Sequence, residues 1–156
     1  MTNSNLQEAL RRPNWALITA TKEAIGPGTH PENVARNARL FAFLLGIGAT
    51  FKVGTGWYKG VDQGVTFMLV NYPAQLPIAL CALLEQESFI NASGLVYCDG
   101  SFVPSDHSKD VVGDEAKKCE NYTVLEIPSS LKKGETTTIC FSLGLDFSKK
   151  QAAPKI

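Results

Sequence analysis

The chain has 156 residues, 15 basic and 15 acidic side chains with no net formal charge, and 44% hydrophobic against 19% charged residues. That is enough chain for one globular core. Its balanced charge, with basic residues never more than paired along the chain, excludes the clustered positive field that a nucleic-acid backbone requires.

Residues 1–13 are polar and end in Arg11-Arg12-Pro13, which reads as a polar N-terminal arm or frayed helix rather than an apolar leader. A single domain is expected over 14–147. It opens with the apolar run Trp15 to Ala20 as a strand, broken by Gly26-Pro27-Gly28. Pro31 and Glu32 then start a helix behind Thr29 or His30, and Leu40, Phe41, Leu44 and Leu45 keep helical spacing until Gly46 and Gly48. Thr50 to Lys59 and Val65 to Val70 read as strands joined by a turn over Gly60 to Gly64. Leu76 to Gln86 reads as a helix burying Leu76, Leu80, Leu83 and Leu84, followed by one further strand made of Ser88 to Asn91 and Gly94 to Cys98 with a bend near Ala92-Ser93.

Residues 101–120 read as a long loop, Tyr122 to Ile127 and Thr136 to Leu143 as a C-terminal hairpin around a turn from Pro128 to Glu135, and 148–156 as a flexible tail. The order β-α-β-β-α-β predicts an α+β fold: a ferredoxin-like sheet with two helices on one face plus the C-terminal β-hairpin. The strands are apolar on both faces, as in Phe67-Met68-Leu69-Val70. A second covering surface is therefore required, which the hairpin and self-association supply; by analogy with other ferredoxin-like units, a trimer is expected.

Four cysteines without a C-x-x-C pair, and only two histidines, offer no metal-binding pattern, so no metal or cofactor is expected. The longest mainly apolar stretch, Leu40 to Ala49, is about half a bilayer span, so no membrane partner is expected and the compartment is taken as cytoplasmic. Asp106, His107 and Ser108 are adjacent and cannot face one another as a catalytic triad does. Asn33, Arg36 and Asn37 share one helical flank near a helix N-terminus, either a solvated face or an anion site. Tyr58 stands among three glycines in Gly54 to Gly60, either core aromatic or ligand contact, and Gln86 carries both a donor and an acceptor suited to a ribose diol or a base edge.

Asn33-x-x-Arg36, Gly56-Trp-Tyr58-Lys59, Glu85-Gln86-Glu87-Ser88-Phe89-Ile90 and Gly94-Leu-Val-Tyr97-Cys-Asp-Gly100, in this order, resemble the bacteriophage S-adenosylmethionine lyases, formerly called hydrolases. The resemblance covers about residues 15 to 144. It implies PII-like trimers of ferredoxin-like subunits with sites between subunits, acting in a host cytoplasm. It also implies cleavage of S-adenosylmethionine, or a close derivative such as an adenylated form, to 5′-methylthioadenosine and homoserine lactone, lowering a methyl donor or signal in phage-host conflict. Tyr58 then positions the amino-acid part, Gln86 holds adenosine, and Thr19 and Ala20 offer backbone contacts, with Asn33 and Arg36 beside them. Where the family carries a glutamate ahead of the central strand, this chain has Asp62-Gln63-Gly64, so either Gln63 or Asp62 is the counterpart. A glutamine there removes an ionised partner and favours the alternative of a PII-like trimeric protein that senses or sequesters an adenine nucleotide without turnover.

Overall fold

The computed structural model describes residues 3–128 and 134–153. Its elements are helix α1 (Asn3–Arg11), strand β1 (Trp15–Ile18), helix α2 (Pro31–Gly46), strands β2 (Thr50–Tyr58) and β3 (Val61–Val70), helix α3 (Gln75–Leu83), and strands β4 (Ser88–Asn91), β5 (Gly94–Tyr97), β6 (Phe102–Pro104), β7 (Val111–Val112), β8 (Tyr122–Pro128) and β9 (Thr136–Ser142). All nine strands belong to one sheet, ordered β6-β5-β4-β1-β3-β2-β8-β9-β7, and every neighbouring pair is antiparallel.

This overturns the expected ferredoxin-like sheet and its PII-like trimer. The strands expected to form that unit pair in the middle of a much larger sheet, which continues on both sides and curls into a half-barrel. The reason lies in the two apolar faces of the central strands. On the face carrying α2 and α3, Phe67 and Leu69 pack with Ile18, Leu40, Leu44 and Leu80. On the other, Met68 packs with Trp15, Leu17, Leu10 of α1, and Leu125, Ile139 and Phe141 of β8 and β9. The curl of the chain's own sheet, with α1, supplies the second cover. Truncating a fully buried side chain such as Phe67 would cost about 3–5 kcal/mol.

Other corrections follow the same pattern. The expected arm contains α1, whose Leu10 is buried and whose carbonyl accepts from Trp15 Nε1 at 3.2 Å. The turn between β2 and β3 is tighter than Gly60 to Gly64: Lys59 and Gly60 take positive φ (51° and 77°) and β3 resumes at Val61. In α3 the buried residues are Pro77, Leu80 and Cys81, whereas Leu83 is exposed. The one bent strand expected over Ser88 to Cys98 is instead the antiparallel hairpin β4–β5, turning at Ala92-Ser93. The expected loop 101–120 contains β6, β7 and two short 3-10 helices. Residues 129–133 of the expected Pro128 to Glu135 turn, and 154–156 of the expected tail, lie outside the described residues.

The segment after β9 runs back beside β6 and joins the far ends of the sheet. Asp146 N–H donates to Pro104 O at 2.9 Å, and Phe102 and Gln151 exchange main-chain bonds at 3.0 and 2.7 Å. The start of the expected flexible tail is therefore a stitched edge. His107 reinforces the closure: Nδ1 lies 2.7 Å from Asp110 Oδ2, Nε2 lies 2.7 Å from Ala92 O, and Asp110 Oδ1 accepts from Gly144 N–H at 2.7 Å. Asp106 accepts from Ser108 N–H and Oγ as the N-cap of the short 3-10 helix His107–Lys109, while His107 turns to Asp110 and Ala92, so the three side chains do not face one another as a catalytic triad does. At the crowded centre, β2 passes so close to β8 that a Cβ on Gly54 would stand 2.2 Å from Val124 O, and a bulge at Gly56 turns Trp57 and Tyr58.

Candidate functional site

α2 begins on strong local signals. His30 Nδ1 accepts from Glu32 N–H at 3.1 Å, and Pro31 opens the first turn. Its inward face carries Asn33, Asn37, Leu40 and Leu44, and the first two organise the segment that leaves β1. Asn33 Nδ2 donates to the carbonyls of Lys22, Gly26 and Pro27 at 3.0–3.2 Å, while its Oδ1 accepts from Lys22 N–H at 3.0 Å. Asn37 Oδ1 accepts from Ala20 N–H at 2.8 Å and its Nδ2 donates to Thr21 Oγ1 at 2.9 Å. Arg36 donates from Nε to Ala20 O at 2.7 Å and from a terminal nitrogen to Leu84 O at 2.6 Å, clamping the β1 exit against the end of α3.

The clamped segment docks on the start of β3. Gly28 N–H donates to Asp62 O at 2.8 Å, and a Cβ on Gly28 would stand 2.0 Å from Gly64 N, so only glycine permits this approach. Thr21 Oγ1 donates to Gln63 O at 2.5 Å. From α3, Gln86 N–H returns to Cys81 O at 2.9 Å, closing the helix with Glu85 at φ 56°, a left-handed position more usual for glycine. Gln86 then donates from Nε2 to Thr21 O at 3.0 Å.

Between these pieces lies a cavity of about 530 Å³. One wall is Thr19 with residues 21–24; the second is residues 56–59 with Gln63 and Thr66; the third is residues 85–88. Phe89, Leu95, Phe141, Leu143 and Leu145 give it apolar surface, and Trp57, Tyr58, Tyr97 and Tyr122 give it aromatic surface. Trp57 and Tyr122 sit opposite one another on β2 and β8 with rings stacked at 4.6 Å between centroids. Three carboxylates, Glu23, Glu85 and Glu87, line it with two ammonium groups, Lys22 and Lys59. Lys22 Nζ meets Glu85 Oε2 at 2.9 Å, and that hydrogen bond and charge hold the Glu85 carboxyl below its ordinary value. Lys59 Nζ stands 5.2 Å from the Tyr58 ring centroid, and Asn121 Oδ1 accepts from Lys59 N–H at 2.9 Å.

Of the residues singled out from sequence, Thr19, Tyr58, Gln63 and Gln86 line this one cavity. Ala20 stands behind the wall: its N–H and carbonyl are taken by Asn37 and Arg36. Asn33 and Arg36 hold the wall from the rear rather than lining the cavity. Of the two counterparts of the family's glutamate, both at the start of β3, Gln63 lines the cavity, whereas Asp62 Oδ1 accepts from Gly64 N–H at 2.6 Å. Sequence reasoning missed Thr21, Lys22, Glu23 and Tyr122. The visible signal was a polar run directly after an apolar strand for the first three, and for Tyr122 an aromatic residue opening a strand.

A second hollow of about 540 Å³, lined by Asn14, Asn71, Tyr72, Pro77 and Ile78 among others, has Tyr72 as its one titratable side chain. The Tyr72 hydroxyl donates to Trp15 O at 3.0 Å, and burial raises its pKa. It offers little chemistry beside the first cavity. No grouping of His, Cys, Asp and Glu suited to a metal occurs among the described residues, and no described helix is long and apolar enough to cross a membrane. Comparison with protein-family models, curated proteins and solved structures returned no match to the chain.

Proposed function

We propose that the cavity binds S-adenosylmethionine or a close derivative, such as an adenylated form, and cleaves it to 5′-methylthioadenosine and homoserine lactone. The observation that carries this reading is the convergence of Thr19, Tyr58, Gln63 and Gln86 on one cavity that combines aromatic walls with carboxylates. A substrate bearing a sulfonium, an ammonium and an adenosine needs those two kinds of surface. Aromatic faces attract cations, and Glu23 and Glu87 supply negative charge for the ammonium group. Gln86 spends Nε2 on Thr21 O, which leaves Oε1 to accept from a ribose hydroxyl.

The reaction asks little of acid or base. The substrate carboxylate attacks its own γ-carbon, a C–O bond forms, the C–S bond breaks, and its electron pair leaves with sulfur as a neutral thioether. No proton moves. The protein's contribution is to fold the methionine arm so that carboxylate and γ-carbon meet in line, with Lys59 and Tyr58 at the amino-acid end, in surroundings where separated charges are less stable than the charge-cancelling transition state. A chain without a histidine in the cavity suits this chemistry.

The proposal includes self-association, since α2 and the Ile47 that caps it leave Val34, Phe41, Phe43, Leu45 and Ile47 exposed, a run of apolar side chains unusual on a monomer's surface. One observation favours a second reading from another class. Gln63, an amide, faces the cavity where an acid would best meet the substrate's positive charge, which suits a protein that sequesters an adenine nucleotide without turnover. Chromatography after incubation with S-adenosylmethionine, alongside calorimetry, separates the two. Methylthioadenosine and homoserine lactone are expected; binding with unchanged substrate would overturn the lyase reading in favour of sequestration, and no binding would overturn both.

A further inference from the structure

Two cysteines that do not line the cavity flank Gln86. Cys81 ends the inward face of α3 and is buried, while Cys98 follows β5 and is exposed. Both are bonded to the main chain of Gln86: its N–H donates to Cys81 O at 2.9 Å, and its carbonyl accepts from Cys98 Sγ at 3.2 Å. A further bond, from Cys98 N–H to Glu87 O at 2.8 Å, fixes Cys98 beside the segment that leaves α3, and there the Cys98 thiol acts on Cys81, adding to the burial that raises its pKa.

We propose that Cys81 and Cys98 form a thiol-disulfide couple, oxidised by hydroperoxides, that flanks Gln86 of the cavity wall. Exposure makes Cys98 the thiol that meets the oxidant. Its sulfur attacks the peroxide oxygen, the O–O bond breaks, and Cys98 becomes a sulfenic acid while water leaves after taking up the thiol proton. The Cys81 sulfur then attacks the Cys98 sulfur; the S–O bond breaks, and the hydroxyl leaves as water with the Cys81 proton. In sum, two thiols and one hydrogen peroxide give one disulfide and two waters, with two electrons passing from sulfur to oxygen. Burial, with the Cys98 thiol beside it, pushes the Cys81 thiol up to about 12. Cys81 is thus the slower partner: it attacks through its small thiolate fraction, so the resolving step is assisted by proximity and speeds up as pH rises.

The couple has a consequence for the cavity, which rests on the function proposed above, whereas the disulfide itself does not. Oxidation removes the Cys98 thiol proton that the Gln86 carbonyl accepts, and draws β5 toward α3 across the residue that positions the Thr21 wall. Substrate affinity should therefore change on oxidation and recover on reduction.

The test is peptide mapping of the full folded chain after stoichiometric hydrogen peroxide, with Cys98→Ser and Cys119→Ser variants treated alike. Both substitutions fall on residues outside the buried core, and circular dichroism confirms the fold of each variant before treatment. The expected result is loss of two hydrogens in mass, loss of two titratable thiols, and one cross-linked peptide pair holding Cys81 and Cys98, abolished by Cys98→Ser and kept by Cys119→Ser. A Cys98 that stops at sulfinic acid, a cross-link through Cys119 or Cys140, intermolecular dimers only, or four unreacted thiols would each overturn the proposal. These readouts involve no substrate, so a disulfide found in a chain that fails to cleave S-adenosylmethionine would refute the function while leaving the couple standing.

Discussion

Gln86 donates from Nε2 to the carbonyl of Thr21 at 3.0 Å, and so joins the end of α3 to the segment leaving β1 across one side of the cavity. Thr21 passes the connection on, since its hydroxyl accepts from Asn37 and donates to the carbonyl of Gln63 in the opposite wall. Three walls are held by one chain of bonds. Replacing Gln86 with Glu keeps the shape but sets a carboxylate against a carbonyl. Gln86→Glu should lose at least about tenfold in substrate affinity, roughly 1.4 kcal/mol, with a stability loss of about 1 kcal/mol, read by calorimetry and by denaturant unfolding. Unchanged affinity in a folded Gln86→Glu protein would remove Gln86 from the site.

Arg36 acts on the same wall from behind. Its two donors reach Ala20 O and Leu84 O, carbonyls on separate segments, a geometry that a lysine ammonium does not reproduce. Arg36→Lys should lower stability by about 1–3 kcal/mol in urea unfolding. It should also raise KM more than it lowers kcat, because it loosens a wall rather than touching the reacting atoms. A variant as stable as the parent would mean that these bonds contribute nothing net.

The closure of the sheet makes a separate claim. Asp110 is buried, and its carboxylate is answered by His107 and by Gly144 N–H. His107→Ala leaves that buried charge short of a partner, at a cost of about 2–4 kcal/mol. Hydrogen exchange should show added opening at residues 143–151 and in β6, the two edges that the clamp joins, and little in α2. Uniform loss of protection would instead show that the clamp belongs to the global core.

Acid should weaken the same edge. Asp106 and Asp146 each accept from a serine two residues on, Ser108 and Ser148, whose hydroxyl and N–H bonds hold both carboxyls below the ordinary aspartate value. With the folded value below the unfolded value of about 3.9, this stabilisation is fully present above that pH and is lost as pH falls through the lower folded value. The melting temperature should decline over that acid range, and Asp106→Asn with Asp146→Asn should flatten the decline. An unchanged slope in the double variant would place the acid sensitivity elsewhere.

Local periodicity made the middle of the chain legible. Pro31 with its acidic neighbour, the apolar run at Phe67, and the polar break at Glu85 each occur where an element starts, runs or ends. The larger sheet was not legible, because the pairing of Gly54 with Leu125, or of Phe102 with Gln151, depends on residues far apart in sequence. The short apolar face of α1 was hidden in a polar segment, with Leu10 meaningful only beside Trp15. For the site, side-chain type identified Tyr58 and Gln86 as contact candidates, but type alone does not tell a lining residue from a supporting one. Asn33 and Arg36 look like ligand groups until their partners prove to be the carbonyls of residues 20 to 27 and Leu84.

The most direct measurement is a time course with S-adenosylmethionine in water enriched in heavy oxygen, with the products resolved by mass spectrometry. Intramolecular displacement predicts methylthioadenosine and, as the first partner product, homoserine lactone whose ring oxygen comes from the substrate carboxylate and carries no solvent label. Homoserine labelled by solvent as the first product would contradict the displacement mechanism, and unchanged substrate would contradict the lyase itself.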